Sequence, residues 1–329
     1  MILTEITISR TTPKCFYRCL FTLGLSIFAA GTAHSFNYDE HRMLGDSAFS
    51  AFANGLVTQG EFKDKQHLCA FFKKELNITC DETEQKFYFL ELSNPPNQIT
   101  YGILNGLSGD QEDNLLRLRE DLLHRYSTMN RIVAFKERKD SQFTDQARLS
   151  ELSELNPNFI YLAFKNYSHF YDYGKTLDQH IASADKQSLL LLQSPATADR
   201  AFQLMEKSNA IAAYITFHAT AMSFAEKAGK LAETDPETSR KYLSYALLYE
   251  AFCAHYLEDS FAAGHLVVRR SALGGIVNNK ALHDFYNVLG VYVINLNGDV
   301  WKTFGDNWLL RVPDQWEDAK SYLDIVVSS

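Results

Sequence analysis

Residues 254–266, AHYLEDSFAAGHL, place two histidines and an aspartate at regular intervals in an otherwise apolar stretch. His255 and Asp259 are four residues apart, so on a helix they lie one above the other on the same face. His265 directly follows Gly264, and glycine is common at or just beyond the end of a helix. We therefore expect the helix to end at Gly264 and His265 to turn back toward the other two side chains.

The residues that precede this stretch indicate that the helix is buried on nearly all sides. They include Tyr245, Leu248, Tyr249, Phe252, Cys253 and Tyr256. A histidine in such a setting can be an ordinary core residue, and a His–Asp pair can be a weak surface ion pair. Burial of a carboxylate is costly, however, unless a charge or a metal compensates it. The pattern favours a metal site with His255, Asp259 and His265. Glu258 lies about 100° further round the helix than Asp259, so we expect it not to bind the same ion.

The first 35 residues of the 329-residue chain differ in composition from the rest. Three basic residues precede an apolar run over residues 19–33, and Ala33-His34-Ser35 resembles a cleavage site. The run is too short for a transmembrane helix, and no later stretch has 18 uninterrupted apolar residues. We predict a secretory signal peptide over residues 1–35 and a mature chain, residues 36–329, that is periplasmic or secreted. The alternative is a retained membrane anchor.

The composition is that of a globular protein, with 46% hydrophobic and 22% charged residues. Removal of residues 1–35 takes away three basic residues and one acidic residue and changes the net charge from −8 to −10. No basic run appears, which argues against binding of duplex nucleic acid through its phosphates. Cys69 and Cys80 could pair in an oxidising compartment, whereas Cys253 is expected to be a packed free thiol.

Helical periodicity dominates the chain and predicts an all-α fold, a single multi-helix domain around a metal cluster. The predicted helices cover residues 41–54, 62–76, 112–135, 157–173, 197–232, 236–264 and 279–289. A small β-hairpin is predicted near residues 290–304, because Val291, Val293 and Leu296 are followed by an Asn297-Gly298 dipeptide that is typical of a tight turn.

Four further places carry candidate ligands. His41 begins a helix near the predicted mature amino terminus, and Asp110 follows a Ser-Gly pair in a loop whose backbone can approach an ion. His169 lies among aromatic residues on a predicted helix, and His283 lies one turn before Asn287. Imidazole and carboxylate ligands without cysteine favour Zn²⁺, bound as a cluster.

The spacing His255-x3-Asp259-x5-His265 resembles that of the zinc-dependent phospholipase C and single-strand nuclease superfamily. Two longer segments, HYLEDSFAAGH and HDFYNVLGVYVINLNGDVWKTFGD, are similar to secreted bacterial zinc metallophospholipases C. The resemblance is strongest over residues 250–307 and near His41.

This resemblance implies a set of two or three zinc ions and their ligands. Superfamily members begin with an aromatic residue whose amine and carbonyl bind zinc, which implies Phe36 as a ligand after cleavage. In the nuclease branch a histidine ligand follows five residues later, which implies His41. Asp259 matches the carboxylate that bridges two zincs, with His255 beside it.

The remaining ligands are implied in the same way. Asp110 matches the loop aspartate that contacts the metal and the attacking water. His169 matches the histidine that follows, with His180 and His218 as alternatives.

A third zinc is implied by His265 and His283, which match two of its ligands. The superfamily has an acid four residues after the second histidine, whereas this chain has Asn287 there and Asp284 beside His283. This chain therefore departs from the superfamily pattern at the third ion.

The implied activity is that of a secreted phospholipase C that hydrolyses phosphatidylcholine-like phospholipids at a membrane surface. Zinc lowers the pKa of bound water to about 7 and neutralises phosphoryl oxygens, and Asp110 orients the water or takes its proton. One alternative is a zinc-dependent single-strand nuclease or nucleotide phosphodiesterase with the same ligands. Another is a non-catalytic exported helical binding protein whose histidines are structural.

Overall fold

A computed structural model describes residues 38–81, 86–138, 145–158, 162, 166–171, 176–183, 194–204, 209–269, 276–294 and 298–305. The predicted signal peptide and Phe36 lie outside the described residues. The described residues up to 138 and from 152 onward belong to one compact unit, and residues 145–151 belong to a second. All the described candidate ligands lie in the first unit.

The described residues are mainly helical, which confirms the all-α fold class. The helices are α1 (Tyr38–Thr58), α2 (Lys65–Phe71), α3 (Tyr101–Leu107), α4 (Leu115–Leu122), α5 (Thr128–Lys136), α6 (Asp145–Leu155), α7 (Leu177–Ser183), α8 (Pro195–Leu204), α9 (Ala210–Leu231), α10 (Pro236–Asp259), α11 (Ala263–Val267) and α12 (Ile276–Leu289). A π-helical turn, Phe72–Leu76, extends α2, and a 3-10 turn covers Tyr167–His169.

Two small antiparallel hairpins accompany the helices. The first pairs β1 (Ile78–Asp81) with β2 (Lys86–Phe89), and the second pairs β3 (Val291–Ile294) with β4 (Val300–Thr303). The second hairpin confirms the prediction for residues 290–304. A disulfide joins Cys69 to Cys80, which confirms that pairing, and Cys253 is buried and free.

The core of the larger unit is the interface between α9 and α10. Phe217 of α9 packs against Phe252 and Tyr256 of α10, with ring centroids 4.9 and 5.9 Å away, and all three rings are buried. Burial of a ring of this size stabilises the fold by roughly 1.5–3 kcal/mol. Asp235 caps the first turn of α10, where Pro236 occupies a position that needs no amide hydrogen. This packing holds the carboxyl-terminal end of α10 inside the protein.

Helix α1 reaches this end of α10 because two glycines let it approach α3 closely. A Cβ atom on Gly102 would lie 2.0 Å from Arg42 O, and one on Gly45 would lie 2.9 Å from Asn105 Nδ2. Asn105 Nδ2 donates to the carbonyl oxygen of His41 at 3.0 Å. The close contact therefore fixes the start of α1, where His41 lies.

The helix predicted over residues 236–264 is wrong at its end, because α10 stops at Asp259 and not at Gly264. Ala262 is extended, with φ −74° and ψ 130°, and it precedes the short helix α11. The amide nitrogen of Ala263 donates to Phe304 O at 3.2 Å. A tertiary hydrogen bond thus replaces the one that a continuous helix would have made.

Two other predicted helices are interrupted. The helix predicted over residues 112–135 is α4 followed by α5, because the chain turns where Asn130 Nδ2 donates to Leu122 O at 2.8 Å. The helix predicted over residues 197–232 is α8 followed by α9, and the Asn209 side chain caps the start of α9. At both interruptions, an asparagine side chain forms a hydrogen bond with the backbone that competes with a continuous helix.

The helix predicted over residues 157–173 is also corrected. Its described part contains the 3-10 turn Tyr167–His169, and Phe170 is extended, with φ −103° and ψ 147°. Phe170 O accepts a hydrogen bond from Ala210 N at 2.9 Å, so this segment is bonded to α9. His169 consequently lies on a short turn.

Candidate metal centre

Asp259, the last residue of α10, lies in the middle of a buried group of histidines. Its Oδ1 atom is 3.4 Å from His41 Nε2. Its Oδ2 atom is 2.5 Å from His169 Nδ1, 3.4 Å from His255 Nε2 and 3.8 Å from His265 Nδ1. All five side chains are buried. The two carboxylate oxygens therefore face histidines from different parts of the chain, as a bridging carboxylate would.

Two overlapping sets of three side chains have ligand atoms within 4.8 Å of one another. The first set is His41, His255 and Asp259, and the second is Asp110, His169 and His255. Because His255 belongs to both sets, the two candidate ion positions are adjacent. Buried imidazole and carboxylate groups arranged in this way could hold metal ions.

The loop that carries Asp110 approaches the histidines so closely that only glycine fits before it. A Cβ atom on Gly109 would lie 2.4 Å from His169 Cε1 and 3.2 Å from His255 Cδ2, and Gly109 has φ +69°. Its amide nitrogen donates to Glu112 O at 3.0 Å, which closes the turn. Asp110 itself is partly exposed. Asp110 is thus the least buried of these candidate ligands.

Hydrogen bonds behind the ligands fix the orientation of two imidazoles. The Nδ1 atom of His41 lies 2.5 Å from Glu258 Oε2, and Asn105 Nδ2 donates to Glu258 Oε1 at 2.7 Å. The Nδ1 atom of His255 donates to the Asn105 carbonyl oxygen at 3.0 Å. Both rings therefore turn Nε2 toward Asp259, which is how metal-binding histidines are usually supported.

Glu258 is therefore more closely involved than its position next to Asp259 suggested. It belongs to neither set of candidate ligands, but it contacts one of them, His41. The sequence carried no signal for Asn105, because the short helix α3 was not predicted.

The histidines of the candidate centre differ in the direction in which their pKa values are shifted. Burial opposes the charged form of His41, but the neighbouring carboxylates of Asp259 and Glu258 outweigh it and raise the pKa of His41 to about 10. Burial lowers the pKa of His255 and of His265 well below the usual value. Those two imidazoles are therefore neutral, which is the form that binds metal ions, whereas His41 would release a proton on binding one.

The side chains expected at a third ion are only partly assembled. The His265 and His283 rings lie 4.8 Å apart, and the Phe170 ring stacks on His265 at 4.3 Å. Asn287 Oδ1 accepts a hydrogen bond from Gly264 N at 2.6 Å. Among the described residues, neither of these two histidines belongs to a set of three candidate ligands.

The carboxylate next to the second histidine has a partner on its own helix. Asp284 Oδ2 is 2.6 Å from Lys280 Nζ, and its Oδ1 is 3.2 Å from His283 Nδ1. Asn287 occupies the position where the superfamily has an acid. Its side-chain oxygen accepts the hydrogen bond from Gly264 N and so holds α11 against α12.

The alternatives to His169 can be compared in part. His169 contacts Asp259, whereas His218 pairs with Glu250 at 2.8 Å, away from that carboxylate. The side chain of His180 lies outside the described residues.

None of the described helices is both long enough and apolar enough to cross a membrane. Comparison with protein-family models, with curated protein sequences and with solved structures found no match for this chain. The chemistry of the centre is therefore inferred from its ligand atoms and their geometry.

Proposed function

We propose that this protein is a zinc-dependent phosphodiester hydrolase of the phospholipase C type. The observation that carries the proposal is the position of Asp259, whose two oxygens face His41 on one side and His169 and His255 on the other. Three separate segments, α1, the 3-10 turn and α10, bring these groups together, and the loop after α3 adds Asp110. Two adjacent metal ions that share a carboxylate are typical of enzymes that displace groups at phosphorus.

The described residues fit divalent cations. Asp259 Oδ1 is buried and accepts no hydrogen bond from the described residues. Burial alone would raise the pKa of Asp259, but its contacts with the imidazoles of His255, His265 and His169 lower it well below the usual value, which favours the ionised carboxylate. Imidazole nitrogens with a few carboxylate oxygens suit zinc better than calcium or magnesium, which prefer all-oxygen ligands.

Each protein group has a distinct role in the proposed reaction. Bound zinc would supply Lewis acidity, which activates water and stabilises charge on phosphoryl oxygens. Asp110, at the solvent-facing edge, would orient the attacking water and accept its proton. Glu258 and Asn105 would hold His41 and His255 in place.

A phospholipid substrate is supported by charge and by surface chemistry. The chain has a net charge of −8, which disfavours a polyanionic substrate. Several apolar side chains on α12, the helix that carries His283, and on the second hairpin are each more than half exposed. They are Phe285, Val288, Leu289, Tyr292, Ile294 and Val300. Exposed apolar side chains of this kind are compatible with contact with a membrane surface.

The proposal is tested with purified protein, phosphatidylcholine vesicles and single-stranded DNA, each with and without a zinc chelator. We expect release of phosphocholine that stops with the chelator and returns with added zinc. Asp259→Asn should abolish it, whereas Asp178→Asn, an exposed site on α7, should not. Cleavage of DNA alone would favour the nuclease alternative. Hydrolysis of neither substrate by folded, zinc-loaded protein would refute the proposal.

A further inference from the structure

A second cluster of metal-binding side chains lies between α9 and α10, away from the candidate centre. His218 of α9 and Glu250 and Cys253 of α10 offer one nitrogen, one oxygen and one sulfur, all within 4.8 Å of one another. Glu250 and Asp259 are nine residues apart, which corresponds to about 180° round an α-helix. The cluster therefore lies on the opposite face of α10 from Asp259.

The geometry of this cluster is that of an open site. His218 Nδ1 lies 3.0 Å from Glu250 Oε1 and 2.8 Å from Oε2. The ring of Tyr214 stacks on His218, with centroids 5.3 Å apart and planes inclined by 21°. The side chains of His218 and Glu250 are 41% and 34% exposed, whereas Cys253 is buried. An ion can therefore enter from solvent and meet the sulfur at the inner end.

We propose that His218, Glu250 and Cys253 bind a thiophilic divalent metal ion such as Zn²⁺, at a site separate from the candidate centre. Imidazole, carboxylate and thiolate are the three kinds of side chain that zinc accepts. Three protein ligands leave one coordination position open to solvent. On binding, the Cys253 thiol releases its proton to solvent and the thiolate binds the metal. The bound ion links α9 to α10.

The presence of sulfur separates this site from the candidate centre experimentally. Neither set of candidate ligands around Asp259 contains a cysteine. Cobalt(II) bound to a thiolate gives a near-ultraviolet charge-transfer band, which cobalt bound only to nitrogen and oxygen lacks. Cys69 and Cys80 are paired with each other, so they supply no thiolate. Once Cys15 and Cys19 are replaced, a cobalt–thiolate band therefore reports on the Cys253 site.

The test is a titration of the purified, metal-free full chain with Co²⁺, followed by absorption. We expect a charge-transfer band whose amplitude at saturating cobalt corresponds to one thiolate-bound ion per chain and which is retained in the Cys15→Ser/Cys19→Ser double variant. Cys253→Ser should lose it, and His218→Gln should weaken cobalt affinity by at least about tenfold. His124→Gln, at an exposed histidine elsewhere, should leave it unchanged.

The outcomes separate this site from the proposed function. Asp259→Asn should retain the band even where it loses hydrolysis, so either proposal can fail alone. Absence of the band in the wild type, or its persistence in Cys253→Ser, would overturn the second site. If Cys253→Ser does not fold, His218→Gln decides, because an unchanged cobalt affinity in that variant would also overturn it.

Discussion

At the scale of single residues, the spacing of His255, Asp259 and His265 carries most of what the sequence can say about the site. The four-residue spacing of His255 and Asp259 can be recognised from the sequence alone. In the structure, the His255 and His265 side chains both lie close to Asp259 Oδ2. The supporting groups could not be predicted in this way. Asn105 lies 150 residues before His255, and its carbonyl contact depends on how α3 packs.

Asp259→Asn keeps the shape of the side chain but removes the charge that faces both sets of histidines. We expect zinc content to fall and hydrolysis to decrease by at least about 100-fold, with helical content unchanged. Elemental analysis, the phosphocholine assay and circular dichroism measure the three quantities. Wild-type activity in this variant would show that the bridging role is wrong.

Glu258→Gln tests the role of a group that orients a ligand without binding the metal. We expect zinc affinity to decrease by about 10- to 100-fold, while the number of ions bound at saturating zinc stays the same. Competition with a chelator of known affinity measures both. A lower number of ions at saturation would mean that Glu258 is itself a ligand.

At the scale of elements, periodicity predicted the long helices and the second hairpin but not where helices break. The break after Asp259 depends on Phe304 O, which accepts from Ala263 N, and on Asn287, which accepts from Gly264 N. These partners are distant in sequence, so no local pattern indicates them. Helix α3 could not be predicted either, because its seven residues are too few to show a helical period.

Gly109→Ala tests the turn that brings Asp110 to the histidines. The added methyl group meets His169, and the positive φ adds roughly 1–2 kcal/mol of strain. We expect at least about tenfold lower activity and reduced zinc affinity. Gly60→Ala is the matched control, because Gly60 also has a positive φ but no atom lies within 4 Å of its added Cβ. Equal effects of the two substitutions on zinc affinity would contradict the proposed close approach.

At the scale of the whole molecule, one compact unit contains both the candidate metal centre and the disulfide. The disulfide joins α2 to β1 across a sequence separation of 11 residues. The all-α class was predictable because most of the chain follows the helical period. The division that separates residues 145–151 was not predictable, because it depends on tertiary contacts.

The double variant Cys69→Ala/Cys80→Ala should lower the free energy of unfolding by about 2–3 kcal/mol, as expected for closure of a short loop. Zinc content should remain unchanged, because neither cysteine contacts the centre. Denaturant unfolding monitored by circular dichroism measures the first quantity and elemental analysis the second. Loss of zinc in a folded double variant would show that the two regions are coupled.

The central claim is that residues around Asp259 hold more than one zinc ion and that hydrolysis depends on those ions. The most direct measurement is the zinc content per chain of active protein carrying Cys253→Ser, which removes the second proposed site. We predict at least two ions per chain, with phosphocholine release that disappears when they are removed and returns when zinc is restored. One ion or none in folded protein that still hydrolyses phosphatidylcholine would contradict the account.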